Sequence, residues 1–188
     1  MSSKSKKRNM KIRSIAKEWI QSIGIAIFTT LFITTFVFNA AEVKGDSMSP
    51  TLEEGDRLII KKYEVVLETE DYKRGDIIVF ESPLENDDKY YIKRVIGLPG
   101  DKITISNGRL NINDIEIEEP YISKDAFTES LAFGDNYIVS ENELFVMVDN
   151  RLPGKSNDSR SFGSVSLETI KGKIVFRFLP IDKIDSDL

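Results

Sequence analysis

The spacing of hydrophobic and polar positions changes near residue 42. From residue 19 to 41 no position is charged, and Ile, Phe, Leu, Val, Ala and Thr dominate. About 20 such residues, rising ~1.5 Å each in a helix, span a hydrocarbon layer ~30 Å thick. Beyond residue 42 the apolar positions fall at period two, in runs at 57–63, 76–80, 89–96, 102–105, 109–112, 143–148 and 173–178 separated by Gly, Pro, Asn and Asp. Asn107-Gly108 between two of these runs predicts a two-residue hairpin, and 167–170 reads as one helical turn. The expected fold class is mostly β. A basic tail (1–18) precedes a single N-terminal transmembrane helix (19–41) and an all-β domain (42–188), with a small β-hairpin insertion at about 106–142. No internal repeat is visible, and the tail is the one biased segment.

Charge sharpens this division. The 188 residues hold 26 Lys and Arg against 31 Asp and Glu, for a net −5. The first 19 carry Lys4, Lys6, Lys7, Arg8, Lys11, Arg13 and Lys17 against Glu18, so the flank is +6 and the remainder −11. Followed by an uncharged span, this flank reads as the cytoplasmic side of a plasma-membrane anchor, not a nucleic-acid arm, with the acidic domain outside. Trp19 stands where an interfacial aromatic belongs. A cleaved secretory signal ending near Asn39-Ala40-Ala41 is a rival reading, opposed by the length of the run and the bulk of Phe38. A buried helix of a soluble protein is another, opposed by the lack of a polar stripe.

Composition then restricts the chemistry. Histidine and cysteine are both absent. That excludes a Ser-His-Asp triad, a thiol nucleophile, disulfides and Cys- or His-bound metals. Carboxylates, lysine, arginine, tyrosine and hydroxyls remain, and neither a cofactor nor a metal is expected. The acidic stretches 64–71 and 85–88 lack calcium-loop spacing and read as solvated surface.

Four motifs stand out. In Gly45-Asp46-Ser47-Met48-Ser49-Pro50-Thr51-Leu52, Pro50 restricts the backbone shortly after Ser47 and holds its hydroxyl in a turn. Taken alone, serine beside proline is an ordinary turn. Gly75-Asp76 opens a buried strand, which structure alone explains. In Tyr90-Tyr91-Ile92-Lys93-Arg94-Val95-Ile96, alternation puts Tyr91, Lys93 and Val95 on one face and Tyr90, Ile92, Arg94 and Ile96 on the other. Burial there lowers a lysine pKa from about 10.4 and frees a neutral amine to act as a base; a lysine stem covering apolar surface is the plainer alternative. The fourth motif runs from Phe145 through Asp149-Asn150-Arg151 to Ser156-Asn157-Asp158-Ser159-Arg160. Its polar groups predict a hydrogen-bonded loop in which Asp158 pairs with Arg160 or Arg151.

Together these motifs resemble the type I signal peptidases, membrane-anchored serine proteases with a Ser/Lys dyad, in the compact Gram-positive form. The resemblance implies that Ser47 is the nucleophile, Lys93 the general base and Ser156 the serine orienting that lysine. Asp158 and Arg160 match the pair supporting the loop, and Asp149, Asn150 and Arg151 the strand-end motif. It also implies removal of signal peptides from exported preproteins through an acyl-enzyme, with small residues before the cut. Met48 and Pro50 are expected near substrate and membrane, a core role for Met48 being the alternative. The bilayer is an expected partner, the secretion machinery a further candidate, nucleic acid none. Three features depart from the family pattern. Val148 replaces a common glycine, residues 152–155 lengthen the connection to Ser156, and Gly45 stands where some members place an oxyanion-hole serine.

Two other functions compete. A soluble repressor-cleaving Ser/Lys protease is opposed by the apolar span. A noncatalytic or weakly active membrane-tethered homologue that binds peptides is opposed by the joint presence of Ser47, Lys93 and Ser156. Ser14-Ile15-Ala16-Lys17, Arg74-Gly75-Asp76 and Asn157-Asp158-Ser159 spell short motifs of other functions, and their positions mark them as coincidences.

Overall fold

A computed structural model describes residues 2–62, 71–84, 90–130, 136–154 and 157–181. The chain forms two compact units, Met1–Phe38 and Asn39–Leu188.

The first unit is α1 (Ser2–Phe32), continued by a π-helical segment, Ile33–Val37. Its stretch Ile15–Val37 is 23 residues long and holds an 18-residue window of mean hydropathy 1.8, and side chains 15–36 are exposed. A helix this apolar, with its described side chains exposed, fits a membrane span by length and composition. At ~1.5 Å per residue its length is about 35 Å, enough to cross a bilayer. Near its end the Thr34 hydroxyl donates to the Thr30 carbonyl at 2.9 Å, which lets a polar side chain sit in an apolar helix. The helix differs from expectation at both ends. It begins at Ser2, within the basic tail, and stops at Val37, where Phe38–Glu42 extends as β1. Small uncharged residues suit a strand as well as a membrane helix, so the charge-free run overstates the helix by four residues.

In the second unit the strands are β2 (Arg57–Lys61), β3 (Ile77–Glu81), β4 (Tyr90–Gly97), β5 (Lys102–Ser106), β6 (Arg109–Ile112), β7 (Ile115–Glu116), β8 (Asn136–Ile138), β9 (Glu143–Met147), β10 (Val165–Ser166) and β11 (Ile170–Leu179). A short helix α2 (Ser159–Phe162) and a 3₁₀ turn (Leu167–Thr169) interrupt them. Seven strands form one sheet in the order β1-β2-β11-β3-β4-β9-β10, and four form a second in the order β7-β6-β5-β8. Tyr63 and Lys89, ends of two predicted runs, and the acidic stretches 64–70 and 85–88 lie outside the described residues.

The large sheet is covered on both faces, which explains the unbroken apolar run of β3. Ile77 and Val79 pack with Met48, Leu52, Leu58 and Ile174, whereas Ile78 and Phe80 pack with Val95, Val146 and Ile170. A third cluster, including Ile96, Ile103, Leu110 and Met147, joins the small sheet to the large one. The Asn107-Gly108 hairpin forms as expected, with φ of 51° and 75° and Ser106 opposite Arg109. Positive φ at both central residues is what a tight hairpin turn requires.

Candidate active site

Ser47 sits in the turn between β1 and β2. The turn closes through Ser49 N–H donating to the Asp46 carbonyl at 3.1 Å and Leu52 N–H to the Met48 carbonyl at 2.9 Å. Met48 is only 1% exposed and belongs to the core, so its side chain pins the turn from below. It also lines the cleft beside Ser47. Pro50 is exposed and does not line that cleft. Gly45, at φ +83°, has open space where a Cβ would stand.

Lys93 projects from β4, opposite Ile78 of β3. It is 5% exposed, and its Nζ lies 3.2 Å from Ser47 Oγ and 3.0 Å from the Ile92 carbonyl oxygen. Burial lowers its pKa to about 8, against the opposing pull of the Asp158 and Asp149 carboxylates. The Tyr91 ring centroid lies 5.1 Å from the amine, and Tyr91 Oη accepts a bond from Asn157 Nδ2 at 3.0 Å.

The residues after β9 bind this centre together. Asp149 accepts from Arg94 Nε at 3.0 Å and Nη2 at 2.7 Å, and from Thr51 Oγ1 at 2.6 Å. Asn150 holds the Ser47 turn directly: its N–H donates to the Ser47 carbonyl and its Nδ2 to the Asp46 carbonyl, both at 3.0 Å. Asp158 caps α2 through Arg160 N–H and pairs with the Arg160 guanidinium at 3.0 and 2.7 Å. It also accepts from Val148 N–H at 3.1 Å, tying this loop to the end of β9. Of the two partners expected for Asp158, Arg160 is the one found. Arg151 instead binds Glu119, Thr128 and the Val148 carbonyl. Ser156 lies outside the described residues.

Four residues that touch this centre were not singled out beforehand: Thr51, Tyr91, Arg94 and Asn157. Arg94 carried a legible signal, since an arginine between Ile92 and Ile96 on a buried strand face needs a carboxylate partner. Glu119 had none, lying 32 positions from Arg151.

Ser47 and Lys93 open onto a cleft of about 770 Å³ whose apolar wall includes Ala41, Val43, Ile60, Val79 and Ile92. A hydroxyl within 3.2 Å of a buried amine of lowered pKa, at an apolar cleft, is an arrangement that can perform acyl transfer.

Residues 16–179 match the family described as Signal peptidase, peptidase S26. The chain is 37% identical to Signal peptidase I of Bacillus licheniformis over 175 residues, covering 89% of this chain and 90% of the relative. It is 35% identical to Signal peptidase I S of Bacillus subtilis (strain 168), covering 95% and 97%. Signal peptidase IB of Staphylococcus aureus (strain COL) is 33% identical, covering 88% and 91%. A solved signal peptidase I from Enterococcus faecalis V583 is 33% identical, covering 55% of this chain and 97% of its own, with a TM-score of 0.47.

Proposed function

The chain belongs to the signal peptidase family, peptidase S26, serine endopeptidases that remove signal peptides, and on that premise we propose that Ser47 is the nucleophile and Lys93 the general base. The observation that carries this reading is the 3.2 Å separation between Ser47 Oγ and a buried amine with pKa about 8. In the neutral amine one N–H donates to the Ile92 carbonyl, and the lone pair is free to accept from the Ser47 hydroxyl 3.2 Å away.

The proposed reaction runs through an acyl-enzyme. Lys93 Nζ takes the Ser47 proton as Oγ bonds to the scissile carbonyl carbon. The C–N bond breaks as Nζ returns that proton to the leaving amine, leaving an ester on Ser47. Water gives a proton to Nζ while its oxygen bonds to the ester carbon, and Oγ departs with that proton. The Ser47 N–H serves as one oxyanion donor; loss of such a donor costs about 10²–10³ in rate. Gly45 contributes no side-chain donor.

The apolar cleft fits a signal peptide's small residues before the cut, bound as an added strand. The anchor places the N-terminus in the cytoplasm and the catalytic unit outside the plasma membrane, by its +6 flank. Ser47 stands ten residues beyond Val37, so at no more than ~3.6 Å per residue it works within about 36 Å of the span's end.

Incubating the detergent-solubilised protein with a preprotein tests the assignment. The unaltered chain is expected to cleave at the signal junction, and folded Ser47→Ala and Lys93→Met variants to lose about 10²–10⁴ or more of that rate. Full cleavage by either variant, or binding without cleavage by the unaltered chain, refutes it.

A further inference from the structure

Glu119 lies on the loop after β7, in the small sheet's part of the chain, yet its carboxylate is enclosed. Its side chain is 6% exposed and that of its partner Arg151 0%. Both Arg151 Nη atoms donate to it, and Tyr121 Oη donates at 3.0 Å. From this one carboxylate two arms reach the catalytic strands. Along the first, Arg151 Nε holds the Val148 carbonyl at 2.8 Å. Its neighbour Asn150 holds the Ser47 and Asp46 carbonyls. Along the second, the Tyr121 ring lies 4.1 Å from the guanidinium carbon of Arg94. Arg94 adjoins Lys93 in β4 and clamps Asp149. The arms therefore meet on either side of Asp149, one ending at the serine turn and the other beside the lysine.

A buried ion pair adds little stability over a well-packed apolar substitute, because desolvating both charges offsets their attraction. What it does provide is directional geometry, since a bidentate guanidinium–carboxylate fork tolerates little displacement. An acyl-transfer site needs that geometry, because a shift of 1 Å between reacting groups can cost about 10² in rate. Burial and the Glu119 charge push the Tyr121 pKa upward, so its hydroxyl remains a donor throughout the working pH range.

We propose that Glu119 is a positioning residue for the catalytic pair, acting through Arg151 on the Ser47 turn and through Tyr121 on Arg94. This rests on the assignment of Ser47 and Lys93 above.

The test uses the full chain in detergent with a signal-peptide substrate, at a temperature well below unfolding. Glu119→Gln keeps the shape and removes the charge; kcat should fall about 10–100-fold with KM within about twofold and near-UV circular dichroism unchanged. Tyr121→Phe, which keeps the ring over Arg94 and breaks the bond to Glu119, should lower kcat about 3–10-fold, and Tyr121→Leu, which loses both, at least about 10-fold. An unchanged kcat in Tyr121→Phe overturns the Tyr121 arm. Glu143→Gln is the stability control. Glu143 accepts from Ser164, which also bonds Tyr137 at 2.8 Å, a network outside the catalytic machinery. It should lower Tm and leave kcat intact. If Glu119→Gln does not fold, the two Tyr121 variants decide alone. An unchanged kcat in Glu119→Gln or Tyr121→Leu overturns the proposal, and so does a loss that tracks Tm equally in the Glu119 and Glu143 variants. An unaltered protein that cleaves nothing refutes the Ser47 and Lys93 assignment instead.

Discussion

Burying a lysine amine beside a serine makes it reactive and makes the fold less stable, and both effects follow from one pKa. Under the proposed assignment only the neutral amine accepts the Ser47 proton, so kcat/KM should rise with pH and level off above about 8. A flat profile from pH 6 to 10 would exclude Lys93 as the base. The Asp158 carboxylate holds that pKa up, so Asp158→Asn, which can still cap α2, should move the rising limb to lower pH. Stability carries the same signature. Below pH 8 the amine is charged in both native and unfolded chains, and the full cost of burying it stands. Between 8 and 10.5 the unfolded chain still holds a proton that the native chain has released, so stability rises with pH. At ~1.36 kcal/mol per pK unit the cost is about 3 kcal/mol. Lys93→Met should therefore be inactive yet more stable at pH 7, with Tm higher by roughly 6–12 °C in calorimetry. An unchanged or lower Tm would mean that the amine is not desolvated.

At the scale of elements, β11 joins the halves of the large sheet by pairing with β2 on one side and β3 on the other. Gly172 makes the double pairing possible. Its φ is +152°, and a Cβ there would stand 2.4 Å from the Lys61 carbonyl oxygen. That oxygen belongs to a paired strand and cannot swing aside. Gly172→Ala should cost about 2–4 kcal/mol and lower Tm by roughly 5–15 °C; a loss below 0.5 kcal/mol would show that the ladder yields. This strand also shows where the sequence is legible. Its period-two run at 173–178 predicts a strand, as do the six other runs, all of which overlap observed strands. β7, β8 and β10 escape because two or three residues hold no period, and β1 because it continues an uncharged helix. Ser47 and Lys93 were proposed from motifs that order them along the chain, and the fold brings them within 3.2 Å. The contacts of Arg94 with Asp149 and of Glu119 with Arg151 join positions 55 and 32 residues apart, and such pairings depend on the folded topology.

At the scale of the whole molecule, the polarity of charge divides labour between the units: an exposed apolar helix with a basic flank, and an acidic β unit that contains the complete cleft. All three core clusters lie within Asn39–Leu188, so the β unit carries what it needs to fold. In the proposed orientation the helix contributes concentration, by confining the enzyme to the surface where a signal peptide emerges. Linking two partners in this way raises their effective concentration toward the millimolar range without adding a contact. Deleting residues 2–37 should then leave a folded protein that cleaves a short soluble peptide within about threefold of the full chain. Cleavage of a membrane-inserted preprotein at nanomolar enzyme should fall by about 10² or more. Parallel assays of the two substrates separate the explanations. Equal losses on both would mean that the helix supports the catalytic geometry itself, and no loss on either would mean that the β unit reaches its substrate without a membrane tether.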